Sequence, residues 1–269
     1  MNTTHKLGPV ESFVALFDIL GFSEMVKNRE LTRVTAIYRR MRKEFKSILT
    51  ATGTVLSGRL PISFKSFSDT FVIYTFDTKT NTKDPFLLLM LGCASLFIAA
   101  NRDNLRLRGA VTFGEIYTSK DVVIGKPIVE AFRLEKEQDW IGCCISEECC
   151  EKILPQIEKY SHDLNIIIEY EVPLKMGPVK KMYAFNWVKA LCFYLSIVNR
   201  GADLNVGQVS GAITFLNEDC GEREDWKVRR KLNNTIKFRD DVLTPGFVEG
   251  HNKWVREHFP SKGVKTLES

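Results

Sequence analysis

The chain has 269 residues, 44% of them hydrophobic and 26% charged, with a formal net charge of +5. That length can bury a sizeable core without disulfide or metal staples, and the composition excludes a disordered or fibrous chain. The modest charge excludes a strongly polyanion-seeking surface; the one dense basic run, KVRRK at residues 227–231 beside Asp225 and Trp226, reads as a solvated helix face rather than a nucleic-acid patch.

The N-terminal MNTTHKLGPVES lacks the apolar stretch of a signal peptide, so a cytoplasmic chain is expected. FVALFDI at residues 13–19 is apolar except for Asp18, which predicts a buried strand with one carboxylate at its exit. A turn at Leu20, Gly21 and Phe22 follows. Leu31, Val34, Ile37, Tyr38, Met41, Phe45 and Ile48 then mark one face of a helix over residues 30–49. Val55 and Leu56, a Ser-Gly turn and the alternating ISFKSFSDTFVIYTF at residues 62–76 predict a hairpin whose second strand carries Asp69 among Phe67, Phe71 and Ile73.

PFLLLMLGCASLFIAA at residues 85–100 is short of the roughly 18 to 20 residues of a bilayer-spanning helix, so a buried core helix and no membrane anchor are expected. LRLRGAVTFGEIY at residues 105–117 is a fourth strand. The order strand, helix, strand, strand, helix, strand is that of a ferredoxin-like unit, an α+β fold with helices on one face of an antiparallel sheet and the plan of palm-type catalytic domains. Further helices are expected at residues 127–136 and 147–160, and strands at 140–145 and 165–172.

Seven cysteines include the neighbours Cys143 and Cys144 and the neighbours Cys149 and Cys150, neither of which makes an ordinary disulfide within the pair. Reduced thiols are expected. CCISEECC lacks C-x-x-C spacing and a nearby His, so buried thiols are favoured over a soft-metal site. The character changes at Met182, which divides a core domain over residues 12–181 from an extension over 182–269. That extension reads as an apolar helix at 187–199, a Gly-rich connection through Gly211, a charged helix at 223–241 and a tail, covering the core or dimerising it.

Asp18 and Asp69 sit where carboxylates are awkward, and an unpaired charge at either place costs several kcal/mol. Each therefore needs a cation. Adjacent strands would bring the two together as hard oxygen ligands for a pair of Mg²⁺ or Mn²⁺ ions that bridge a triphosphate. The plainer alternative is that each caps a turn or pairs with Arg106 or Arg108. The turn after Asp18 leads into a helix, so its backbone N–H groups can face phosphate oxygens.

FDILGF at residues 17–22 resembles the class III nucleotide cyclase motif in which an Asp binds both metals, the next carbonyl assists and the loop holds phosphates. FKSFSDTF at residues 64–71 resembles the family's second motif, with a base-contacting Lys four residues before the second metal Asp. RGAVTFGEIY at 108–117 and GKPIVEAFRLE at 125–135 resemble its strand and the helix that supplies a transition-state Arg. The resemblance, which spans residues 12–146, implies metal ligation by Asp18, Ile19 and Asp69, catalysis by Asp18, Asp69 and Arg133, and substrate binding by Gly21, Phe22 and Lys65. A surface role for Arg133, paired with Glu130 or Glu137 at helical spacing, is the alternative.

Val129 stands where the family carries a ribose-orienting Asn. Val122 stands where adenylate cyclases carry an Asp that reads the adenine amino group, a departure that argues against ATP. FDILGF, SFSDT and RGAVTFGE together are most similar to the bacterial Pycsar pyrimidine cyclases. That likeness implies a homodimer with shared active sites, a pyrimidine nucleoside triphosphate substrate and a cyclic product read by a separate effector protein in anti-phage defence. Lys65 as a donor suits the uracil oxygens, which tips the expected substrate towards UTP over CTP. Rival readings are another two-metal palm enzyme, such as a diguanylate cyclase or a polymerase-like nucleotidyltransferase, and a catalytically silent ferredoxin-like module that binds nucleotide or RNA. The GGDEF-type signature is absent.

Overall fold

The computed structural model describes residues 8–57, 62–75, 84–119, 122–216 and 225–258. Among them β1 (Val10–Ile19) is followed by α1 (Phe22–Asn28), α2 (Leu31–Ser57), β2 (Ile62–Phe67), β3 (Thr70–Thr75), α3 (Pro85–Arg102) and β4 (Leu107–Thr118). The expected βαββαβ order is present, with α1 as an added short helix. α2 runs through Val55 and Leu56, so these residues are helical and the hairpin is made by β2 and β3 alone. Gly58 of the expected Ser-Gly turn and Phe76 lie outside the described residues. Asp69 is not in a strand: it occupies the two-residue hairpin turn with Ser68, whose φ of 54° is left-handed. The apolar neighbours that suggested a strand belong to β2 and β3 on either side of it.

The chain continues with β5 (Val123–Gly125), α4 (Lys126–Glu137), β6 (Cys143–Ile145), α5 (Glu147–Ile153), β7 (Ile167–Val172), β8 (Lys180–Phe185), α6 (Trp187–Val198), α7 (Val206–Gly211), α8 (Trp226–Val242) and α9 (Pro245–His258). The sheet order is β2-β3-β1-β4-β6-β8-β7, with β5 pairing the end of β4. All pairings are antiparallel except β4 with β6, so the sheet is mixed rather than antiparallel. A parallel neighbour needs a crossover, and α4 supplies it. Residue 182 lies within β8, where Met182 pairs with Tyr170.

The strand period of two explains the layers. Phe13 and Phe17 of β1 point to one face, their rings 5.4 Å and 5.5 Å from Phe86 and Phe97 of α3. Val14, Leu16 and Asp18 point to the other, with their strand partners Thr112, Ala110 and Arg108. α4 covers this second face: the Thr112 hydroxyl donates to the Pro127 carbonyl and Arg108 bonds Glu135. Helices thus lie on both faces of β1 and β4, not on one, because both faces of those central strands are apolar. α3 is long and apolar enough to cross a membrane, yet thirteen of its residues are buried here in the core.

Cys93, Cys143, Cys144, Cys149, Cys150 and Cys192 are free thiols, as expected; all but half-buried Cys150 are buried. Burial holds them protonated, with Cys144 pushed up to about 12. The KVRRK run is only partly a solvated face. Arg230 of α8 pairs with buried Asp139, and Lys231 lies 3.9 Å from the same carboxylate. Asn234 donates to the Asp139 carbonyl, and Phe238 packs edge-on against Trp140 at 4.9 Å. α8 thereby anchors the segment between α4 and β6.

Candidate active site

β1 runs apolar up to Asp18, and its end is stitched to its neighbours by main-chain bonds. The Ile19 N–H donates to the Asp69 carbonyl at 3.1 Å, and the Leu20 N–H to the Arg106 carbonyl at 2.9 Å. Asp18 pairs in register with Thr70 on one side and Arg108 on the other. The β2–β3 turn is therefore held against the exit of β1, which brings Asp18 and Asp69 to one sheet end.

Both carboxylates are half-buried, and neither makes an ion pair or a side-chain hydrogen bond among the described residues. Burial pushes the Asp18 carboxyl up to about 6; the negative charges of Glu135 and Asp69 add to this, while Lys136 and Arg108 oppose it. Arg108 is the cation nearest in register, yet its guanidinium is committed elsewhere. Its Nε and Nη2 donate to Glu135 Oε1 at 2.7 Å and 2.5 Å, and Nη1 donates to the Gln138 carbonyl at 3.1 Å. The expected alternative, an Asp18 neutralised by Arg108, is not what the fold builds.

Gly21 caps α1 in the left-handed region, φ 79°, a conformation that favours glycine. The first helical bond runs from the Met25 N–H to the Gly21 carbonyl, leaving the N–H groups of Phe22, Ser23 and Glu24 ahead of it. They border an open cleft of about 370 Å³ lined by Gly21, Phe22, Arg29, Asp103 and Arg106 among others.

Lys65 lies on β2 opposite Val72, which in turn pairs with Leu16, so it shares a sheet face with Asp18. Its ammonium donates to the Ser119 carbonyl at 3.2 Å. Arg133 is elsewhere. It stands on the outer side of α4, 55% exposed, paired with Glu130 and Glu137 at 2.6 Å each. The chain itself thus gathers Asp18, Asp69 and the Gly21 turn, places Lys65 on the same face, and leaves Arg133 at the surface. Val122, Ile124, Val129 and Phe132 are exposed apolar residues of the same α4 and β5 region.

Sequence reasoning gave Glu135 no role. Its signal was available: Pro127, Ala131 and Glu135 follow at four-residue spacing along the buried stripe of α4, so a carboxylate stands at a core position. The donor set at the sheet end, two carboxylates and the main-chain carbonyl of Ile19, consists of hard oxygens, which fit Mg²⁺ or Mn²⁺.

No family model and no curated protein matches this chain. Among solved structures it is similar to the monomeric guanylyl cyclase domain of the RhoGC fusion protein from the aquatic fungus Blastocladiella emersonii, with 14% identity, 66% of this chain and 95% of that one covered, and a TM-score of 0.48. The guanylate cyclase domain of RhGC from Catenaria anguillulae in complex with GTP aligns at 13% identity over 66% and 96% of the two chains, with a TM-score of 0.46. A bacterial light-regulated adenylyl cyclase aligns at 14% identity over 71% and 96%, also with a TM-score of 0.46.

Proposed function

We propose that the chain is a divalent-cation-dependent nucleotide cyclase that converts UTP to 3′,5′-cyclic UMP and diphosphate, with CTP to cyclic CMP as the alternative, and that it works as a homodimer. One observation carries this reading: Asp18 and Asp69 are held together at a strand end without a cationic partner among the described residues, while Arg108, the strand partner of Asp18, is tied to Glu135. Two like charges so placed destabilise the fold unless a cation joins them. The order of the motifs at residues 17–22, 64–71, 108–117 and 125–135 supports the reaction class.

Cyclisation removes the proton of the ribose 3′-hydroxyl, joins that oxygen to the α-phosphorus and breaks the α-phosphorus bond to the bridging oxygen of diphosphate. Two Mn²⁺ or Mg²⁺ ions held by Asp18, Asp69 and the Ile19 carbonyl would supply positive charge to the attacking oxygen and the triphosphate. The main-chain N–H groups after Gly21 face the triphosphate. Lys65 donates to a pyrimidine carbonyl. Arg133 serves a second copy: it is exposed on α4 and exchanges Glu130 and Glu137 for the charge that develops on the phosphate oxygens. By its resemblance to the Pycsar cyclases, the product is a second messenger of bacterial anti-phage defence read by a separate effector protein.

The test incubates purified protein with Mn²⁺ and each of the four ribonucleoside triphosphates, with Asp69→Ala as control. A cyclic pyrimidine monophosphate made by the unmutated protein alone supports the reading and identifies the base. A cyclic purine product overturns the pyrimidine assignment. No cyclic product from any triphosphate, with nucleotide binding intact, returns the chain to a silent binding module.

A further inference from the structure

α4 buries Pro127, Ala131, Leu134 and Glu135 against the sheet. The first three are apolar, but Glu135 is a carboxylate with no exposed surface, and its partner Arg108 is only 3% exposed. Glu135 Oε1 takes both Arg108 bonds, while Oε2 is buried without a hydrogen bond, 3.8 Å from the Lys136 ammonium. The third Arg108 contact, to the Gln138 carbonyl, holds the guanidinium from the same side. Gln138 is fixed in turn, since its amide donates to the Gly109 and Leu134 carbonyls at 2.8 Å and 2.9 Å.

Asp18 and Arg108 are direct cross-strand partners, and such pairs stand about 4.5–5.5 Å apart at Cβ. A guanidinium there has the reach to clasp Asp18 in a bidentate pair, the strongest geometry open to it. The fold withholds that bond. We propose that Glu135 is a positioning residue that holds Arg108 off Asp18 and Asp69, so that a divalent cation and not an arginine becomes their counter-charge. This rests on the reading of Asp18 and Asp69 as metal ligands. It predicts that the buried pair exists to keep the carboxylates free, since ion pairs this deep add little net stability over apolar residues of the same volume.

The experiment measures Mn²⁺ binding to the full chain by calorimetry without nucleotide, with far-UV circular dichroism as the check on folding. Unmutated protein is expected to bind Mn²⁺, and Asp18→Asn to lose that binding. Glu135→Gln keeps the shape, drops the negative charge that restrains Arg108, and is expected to weaken Mn²⁺ binding by about tenfold or more. R108Q/E135Q removes the competing guanidinium as well and is expected to recover affinity to within about threefold of the unmutated protein. A purely structural role for Glu135 would lower the melting temperature and leave Mn²⁺ affinity alone.

Folded Glu135→Gln that binds Mn²⁺ as the unmutated protein does, or a double variant as weak as the single one, overturns this inference and leaves the metal site standing. Unmutated protein that binds no Mn²⁺, or binds it equally after Asp18→Asn, overturns both. If Glu135→Gln fails to fold, the neutral pair in R108Q/E135Q carries the test: near-normal affinity supports the inference, and a loss of about tenfold or more sinks it.

Discussion

Two aspartates, Asp18 and Asp139, lie close to the same sheet and are treated in opposite ways. Asp139 is 1% exposed, receives Arg230, faces Lys231 and sits beside the stacked rings of Trp140 and Tyr170, 5.6 Å apart. Asp18 is half-buried, and its carboxylate has neither an ion pair nor a hydrogen bond among the described residues, although an arginine is its strand neighbour. The first is a charge the fold pairs, through Oδ2 with Arg230, although its Oδ1 is buried without a hydrogen bond; the second is a charge for which the fold supplies no cation among the described residues. Local agreement among packing, pairing and polarity marks the structural region, and its local absence marks the candidate site.

The contrast is sharpened most by breaking the paired side. Asp139→Ala removes the carboxylate that Arg230 and Lys231 hold and is expected to destabilise the protein by about 1–3 kcal/mol, read as a fall in the urea midpoint at constant slope. A loss of only a few tenths of a kcal/mol would show that Asp139 does not anchor the segment between α4 and β6. Comparable in size is Gly109→Ala, because a Cβ at that position overlaps the Phe17 ring and the Leu16 carbonyl. Gly109 pairs with Phe17, immediately before Asp18, so the backbone must shift. Overpacking of this kind costs about 1–3 kcal/mol, and Mn²⁺ affinity is expected to fall with it.

Asp18→Asn should go the other way. A carboxyl raised to about 6 in the folded state contributes stability that is present below its ordinary value near 3.8 and lost as pH rises through about 6. The unmutated protein therefore loses this increment across that window, and the variant, with nothing to titrate, does not. Above pH 6 the variant is expected to melt a few degrees higher while making no cyclic product. Added Mn²⁺ should stabilise the unmutated protein and leave the variant unmoved. Melting curves between pH 4 and 8, with and without Mn²⁺, decide it; a variant that melts lower at pH 8 would contradict the picture of a strained carboxylate pair.

The smallest effect on stability is expected from Arg133→Ala. Its two exposed helical pairs are worth about 0.5 kcal/mol or less each, so the melting temperature should barely move. Cyclase activity should nevertheless fall by about a hundredfold or more if the residue serves a second copy. Mixing inactive Arg133→Ala with inactive Asp69→Ala provides the decisive readout: restored activity in the mixture shows sites shared between subunits.

Much of this layout was legible in the sequence, and the reason is periodicity. β1, α3 and β4 each carry one long apolar pattern, and Asp18 stood out because it broke that of β1. Asp69 was legible as an anomaly but misplaced by one structural step, since the apolar residues flanking a tight two-residue turn read as a single strand. α9 escaped notice because Pro245, Gly246 and Gly250 lower its helical signal, and its buried face includes the polar residues His251 and Asn252. The parallel pairing of β6 with β4 is a property of chain crossing that no local pattern encodes. Glu135 was hidden for a different reason: its partner is 27 residues away, and a charge on an apolar stripe has meaning only when the opposing charge is known.

The anchoring of Asp139 by α8 also orders events in time. During synthesis β1 and the β2–β3 hairpin, which carry Asp18 and Asp69, leave the ribosome well before α8. The segment that carries Gln138 and Asp139 waits for Arg230, Lys231 and Asn234, which emerge much later. A nascent chain that has reached only β8 lacks the side chains that fasten Asp139 from α8.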